Sequence, residues 1–285
     1  MTDLIQVMVG GLLWGGMYAL IALGLTLIFG VMRVLNVAHG ELVMLGGYVT
    51  YWLFQLAGLH PLLTLLVSMP VLFGLGVLLQ KFFISRTVGQ PELSSLLLTF
   101  GIGILIVNLA QYFWTTDFRS VPYYSGSFSL WGIGLPQARV IGFALALGIT
   151  VAAFAFLKTT RIGKAIRATS ENRQVAQVCG IDVRRIDRLT FGLGGALAGA
   201  AGSLVIIILA IYPEVGPQLT LKAFAIVVLG GLGSYFGAFL GGLIMGLAEA
   251  LAGYVIAANI EDAVSYLILV LVLLVRPSGL LGVKE

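Results

Sequence analysis

Twenty-nine consecutive positions, Leu4 to Met32, carry no charged side chain, and Gln6 is the main polar interruption. As a helix this stretch measures about 43 Å, against a membrane hydrocarbon core of about 30 Å. It is therefore expected to span a membrane. Its surplus length predicts a tilted or broken helix, with the Gly10-Gly11 and Gly15-Gly16 pairs as the easiest places for a break. It does not read as a cleaved leader: no basic stretch precedes it, it is too long, and no small-x-small site follows it.

The rest of the chain asks for the same solvent. Of 285 residues 59% are hydrophobic, while only 16 are basic and 12 acidic. Soluble proteins run near ~45–50% apolar and ~25% charged. A mean hydropathy of +1.06 agrees. Such a chain cannot cover a water-facing surface of its size, which excludes a soluble enzyme, a disordered chain and a nucleic-acid binder. One cysteine, Cys179, and two histidines, His39 and His60, exclude a disulfide framework and a multi-His or Cys metal cluster. No metal site is expected. Gly163-Lys164 is followed by Ala165 and lacks the upstream glycine of a P-loop. Neither GxSxG nor HExxH occurs.

Further apolar runs cover about 42–57, 61–80, 93–114, 139–157, 189–211, 222–257 and 262–275. The run 222–257 is long for one span and is interrupted by Gly230-Gly231-Leu232-Gly233-Ser234. It reads as a hairpin of two segments, 222–232 and 235–257, the first too short to cross unaided. Irregular backbone at membrane depth is tolerated only inside protein or along a cavity. The expectation is one all-α, polytopic membrane domain over 1–285 with eight or nine membrane segments and a glycine-broken hairpin near its C-terminal end.

Basic residues set the orientation. Lys158–Arg188 holds eight of the 16 basic residues and has a net charge of +5, so the remainder of the chain sums to −1. This loop is expected in the cytoplasm. Alternation then places Arg33, Lys81, Arg86, Arg276 and Lys284 inside as well, with Arg119, Arg139 and Lys222 outside and an external N-terminus. The longest external loop, about 115–138, is rich in Tyr, Ser and Gly and fits a short lid or docking surface.

Three sets of residues are candidates for function. Gly11/Gly15, Gly195/Gly199, Gly233/Gly237, Gly237/Gly241 and Gly242/Gly246 each stand four apart, a spacing that lets helix backbones approach closely. Packing within one subunit and a subunit or moving interface are both open. In the basic loop, Ser170 fits an N-cap, Glu171 the helix start and Gly180 the C′ position. A short helix over 171–179 would place Val175, Val178 and Cys179 on one face. Two readings stand for it: resting on anionic lipid, or docking into a partner's groove. Cys179 is expected to be an inert apolar contact. Among polar residues in or near the membrane, Asn36, His39 and Glu41 follow the first segment, Asn108 and Gln111 lie in the fourth, and Glu249 lies in the hairpin's second arm without an evident charged partner. An intramembrane ionisable group is a functional candidate by default. Asn36, His39, Glu41 and Glu249 are the candidates for a translocation path.

Several strings together resemble the LivH-type permease subunits of branched-chain amino-acid ABC importers. They are Tyr18 to Gly30 (YALIALGLTLIFG), Asn36 to Tyr48 (NVAHGELVMLGGY), Arg167 to Ile181 (RATSENRQVAQVCGI), Val228 to Ser234 (VLGGLGS) with Gly237 and Gly241, and Arg276 to Gly282 (RPSGLLG). The resemblance covers almost the whole chain in order. It implies a prokaryotic cytoplasmic-membrane permease that is not itself an enzyme. Its partners would be a second permease (LivM-like, or a second copy), two cytoplasmic ATPases holding ATP and magnesium, and an external solute-binding protein. Ser170, Glu171, Asn172, Val175, Val178 and Gly180 sit where the family has its coupling helix. Gly230, Gly231, Gly233, Gly237 and Gly241 would shape the hairpin. The implied cargo is leucine, isoleucine and valine, with urea, short amides or other small solutes as alternatives. The competing class, a self-sufficient secondary transporter, would need its own ion site.

Overall fold

The computed structural model describes residues 2–130, 133–257, 261–276 and 278–282. Lys284, expected on the inner side, and Pro277 of the closing string lie outside the described residues. Among the described residues eleven α-helices follow in order: α1 (Thr2–Met32), α2 (His39–Ala57), α3 (Pro61–Phe82), α4 (Glu92–Trp114), α5 (Gln137–Thr159), α6 (Arg161–Glu171), α7 (Arg173–Val178), α8 (Val183–Ile208), α9 (Val215–Gly230), α10 (Tyr235–Val255) and α11 (Glu261–Val275). Six of these segments are long and apolar enough to cross a membrane: α1, α3, α4, α5, α8 and α10. Helices α9 and α11 are shorter apolar helices. Helix α2 has 19 residues, but its first turn carries His39 and Glu41. The predicted polytopic α-helical architecture is therefore found, with one addition. Strands β1 (Ser127–Leu130) and β2 (Ile133–Pro136) pair antiparallel in the loop between α4 and α5.

Helices α1 and α8 form the centre, with 83% and 89% of their apolar windows buried; the corresponding value for α5 is 22%. This split follows from composition. The inner helices are rich in Gly and Ala and let backbones approach, whereas the outer ones expose Leu, Val and Phe, which suit lipid.

Helix α1 is unbroken through both glycine pairs, so of the two expectations, a tilted or a broken helix, the break is not found. The glycines serve close packing instead. A Cβ on Gly11 would lie 2.7 Å from the Gly246 carbonyl oxygen, and one on Gly15 would lie 2.7 Å from Leu243 Cα. Reciprocally, a Cβ on Gly246 would lie 2.5 Å from Gly15 Cα. The two four-spaced glycine pairs of α1 and α10 thus interlock, which decides their open reading for packing within the chain. Gly195 and Gly199 do the same for α8 against Leu72 and Ser68 of α3.

The irregular backbone lies just after α1. Arg33 leaves the helix at φ 53°, and residues 33–38 run back along α1 before α2 begins. His39 Nε2 then meets the Ile21 carbonyl at 3.0 Å. Ile21 precedes the end of α1 by eleven residues, roughly 16 Å of helix. Helix α2 therefore starts deep within the bundle.

The predicted glycine hairpin is present, with Gly231 at φ 104° and Gly233 at φ 81° forming the turn between α9 and α10. A side chain would be strained at either position. Its first arm starts at Val215 rather than 222, because the helix begins around Gly216-Pro217, where proline suits a helix start. Even so, its 16 residues reach only about 24 Å.

Candidate functional site

The basic loop folds as two short helices. Thr160 caps α6 by accepting from the Gly163 N–H at 2.9 Å. Ser170 and Glu171 belong to the last turn of α6, and Ser170 Oγ donates to the Arg167 carbonyl at 2.7 Å. The sequence expectation of a Ser170 cap and one helix over 171–179 is corrected here. Asn172 is the cap of α7, its Oδ1 accepting from Gln174 N (3.1 Å) and Val175 N (3.0 Å). Asn172 leaves α6 in an extended conformation, which frees its side chain for this role. Gly180 ends α7 as expected, at φ 82°. Its N–H donates to Gln177 O at 2.9 Å, and Ile181 N donates to Ala176 O at 3.0 Å, the paired closure of a Schellman motif.

Helix α7 points its apolar side chains outward. Val175 is 56% and Val178 88% exposed, while Ala176 is buried against the chain. Cys179 is exposed as well, so its predicted role as an apolar contact is not found. Arg173 ties this small helix to the bundle. It forms an ion pair with Asp187 of α8, including an Nη1–Oδ1 contact of 3.0 Å, and it reaches the Val31 carbonyl near the end of α1.

Within the bundle a buried quartet joins four helices. Tyr18 of α1 donates to Glu249 Oε2 at 2.7 Å and accepts from Lys222 Nζ at 2.9 Å. Lys222 Nζ of α9 lies 3.1 Å from Glu249 Oε1 of α10, and Ser265 of α11 donates to the same oxygen. Two sequence expectations are corrected: Lys222 lies within α9 rather than at the start of the segment, and Glu249 has a charged partner. A pair so buried is tolerable only because each polar atom also has a hydrogen-bonding neighbour. Tyr18 and Glu249 line a cleft of about 470 Å³ together with Asp3, Gln6, Trp14 and Arg139. The Arg139 guanidinium lies 5.9 Å from the Trp14 ring centre.

Asn36, His39 and Glu41 form a separate cluster at the start of α2. Asn36 is 1%, His39 0% and Glu41 4% exposed, so these three are enclosed rather than lining the cleft. Gly24 leaves room for the imidazole, since a Cβ there would lie 2.9 Å from His39 Cε1. Hydroxyl groups satisfy the irregular backbone. Ser95 Oγ accepts from Leu35 N, Thr99 Oγ1 from Val37 N, and Thr220 Oγ1 from Gly40 N. Thr220 Oγ1 is also 3.2 Å from Glu41 Oε2.

Residues 7–273 match the family model described as branched-chain amino acid transport system / permease component. The chain belongs to this permease family. It is 31% identical over 296 residues to the high-affinity branched-chain amino acid transport system permease protein BraD of Pseudomonas aeruginosa, covering 99% of this chain and 96% of that protein. Against the LivH permease protein of Escherichia coli (strain K12) it is 32% identical over 308 residues, with coverage of 99% and 96%. A probable LivH from Methanocaldococcus jannaschii is 30% identical, with coverage of 98% and 92%. No solved structure matches the chain.

The permease is thus a multi-pass membrane protein of a transport family, and its relatives are transport subunits rather than enzymes. Sequence reasoning missed Tyr18, Lys222 and Ser265 of the quartet. It also missed Ser95, Thr99 and Thr220, which hold the start of α2. A signal existed for Lys222: it is a lone cation at the edge of a long apolar run, 27 positions before the lone carboxylate of Glu249. For the hydroxyl residues no signal existed, because Ser and Thr in apolar helices commonly bond their own backbone.

Proposed function

We propose that the permease is the membrane subunit of an ATP-driven importer that moves branched-chain amino acids (leucine, isoleucine, valine) inward across a prokaryotic cytoplasmic membrane. Its basic end faces the cytoplasm, where a pair of ATPase subunits binds ATP and magnesium. An external solute-binding protein delivers the cargo, and a second permease, of another type or a second copy, completes the pore. Urea and short amides are the alternative cargo for the same machine.

One observation carries this reading: α7 presents Val175 and Val178 outward from a helix closed at both ends and tied to α1 and α8 through Arg173. An apolar pair on a two-turn helix inside a basic loop fits a groove on a partner. A push on α7 reaches two central helices through one guanidinium. Ser170, Glu171, Asn172 and Gly180 shape this element, with Asn172 as its cap. Asn36, His39, Glu41 and Glu249 are the proposed residues of the path, with Glu249 the one that meets open space.

The test is the Val175→Asp/Val178→Asp variant in the reconstituted transporter. The expected result is loss of stimulated ATP hydrolysis and of uptake, with the permease still present in the membrane. Wild-type stimulation would sink the coupling assignment. Uptake by the permease alone, in liposomes without ATP, would favour a self-sufficient transporter instead.

A further inference from the structure

A second cleft, of about 450 Å³, lies at the basic end where α3 stops and α8 begins. Its lining includes Gln80, Lys81, Arg173, Arg184, Asp187 and Arg188. Four cations therefore converge on one carboxylate, and that carboxylate is already paired with Arg173. Among the described residues Lys81, Arg184 and Arg188 form no ion pair. One side chain inside the cleft is also left wanting. Gln80 is only 2% exposed, yet its Oε1 has no hydrogen-bond partner. A side-chain amide can turn end for end, so it can present either its oxygen or its NH2 group to an occupant.

We propose that this cleft holds the phosphate headgroup of an anionic phospholipid from the adjoining leaflet. Three observations favour a lipid over a soluble anion. The cleft sits at the end of a membrane-spanning helix. The Phe82 ring, whose centre is 5.2 Å from Lys81 Nζ, is 52% exposed, and Leu78 one turn before it is 51% exposed, giving acyl chains an apolar wall. Leu78 and Phe82, four apart, share one face of α3. A cation-rich pocket between helices at a membrane boundary has the charge and depth for such headgroups, and the inner leaflet is the anionic one. Arg173 belongs both to this cleft and to the tether of α7, so a bound lipid braces α7 from below. The leaflet and that last consequence rest on the proposed function; the cation-lined cleft itself does not.

The test uses the full-length permease in detergent micelles, without any ATPase. Binding of phosphatidylglycerol and of phosphatidylcholine is measured by native mass spectrometry and by fluorescent-lipid titration. The expected result is preferential retention of phosphatidylglycerol. The Lys81→Gln/Arg184→Gln/Arg188→Gln variant should bind it roughly a hundredfold more weakly, since each basic side chain near the surface contributes about a fivefold factor. A control variant, Lys158→Gln/Arg161→Gln/Lys164→Gln, removes the same amount of charge from the basic loop outside the cleft and should retain the lipid. Should the triple cleft variant fold poorly, Arg188→Gln alone should still weaken binding about fivefold. Equal retention of both lipids, equal weakening in the control, or wild-type binding in the cleft variants would overturn the proposal. Displacement of the lipid by millimolar inorganic phosphate would also overturn it, in favour of a soluble-anion site. So would a cleft variant that keeps phosphatidylglycerol but no longer copurifies with an ATPase, since the cleft would then be a protein contact.

Discussion

The membrane interior and the basic loop handle charge in opposite ways. In the quartet, Lys222 and Glu249 neutralise each other within hydrogen-bonding reach, and Tyr18 and Ser265 occupy further positions around them. At the basic end, Lys81, Arg184 and Arg188 face open space, and Val175 and Val178 of α7 lie exposed. The quartet is complete in itself because lipid offers no hydrogen bonds, so charges buried there must find their partners in the chain. At the basic end the cations without an ion pair and the exposed valines stay open to whatever adjoins them. Stability and coupling are therefore expected to separate cleanly between the two regions.

The largest effect should come from breaking the quartet on one side. Lys222→Ala leaves the Glu249 carboxylate buried beside Tyr18 and Ser265 only, and removal of one partner of a buried pair costs about 3–5 kcal/mol. The expected readout is a strong fall in melting temperature in detergent and poor membrane yield. Replacing both charges together, as Lys222→Met/Glu249→Leu, should recover most of that stability. If the double variant is as unstable as the single one, the pair is more than a mutual neutralisation and the contrast between the regions weakens.

Next comes the glycine crossing. Gly246→Val places a Cβ 2.5 Å from Gly15 Cα and adds two methyl groups beyond it, so α1 and α10 must separate. Overpacking of this kind costs about 1–3 kcal/mol. A drop in melting temperature smaller than that of Lys222→Ala is expected. No drop at all would mean that the crossing is looser than its backbone spacing requires.

The smallest effect on stability should come from the loop. Asn172→Ala removes the cap of α7 at a cost of about 1 kcal/mol, confined to that helix. Amide exchange in α7 should quicken about fivefold, matching that cost, while the global melting temperature stays put. Stimulated ATP hydrolysis should fall only in part, in contrast to the Val175→Asp/Val178→Asp pair. A global loss of stability in the cap variant would show that the loop is part of the core after all.

Much of the fold was legible because lipid writes plainly. The spans of α3, α4, α5, α8 and α10 follow from apolar runs ended by charged or polar clusters, and the turn at Gly231 and Gly233 follows from glycine's tolerance of positive φ. The loop was partly legible: Gly180 closes α7 as its sequence suggests, but the cap passed from Ser170 to Asn172. Both are good capping residues, and the choice depended on where α6 ended, which local propensity does not fix.

By itself the sequence determined the solvent, the helical class, the concentration of positive charge in 158–188 and the presence of five four-spaced glycine pairs. Tertiary structure alone decided that Gly11/Gly15 and Gly242/Gly246 face each other across α1 and α10. It decided too that α1 stays whole while the chain behind it doubles back, and that Lys222 turns inward to Glu249. Apolar patterning reports only whether a residue meets lipid or protein. Which neighbour fills a gap or completes a hydrogen bond depends on helices far apart in the chain, and that information exists only once they have packed.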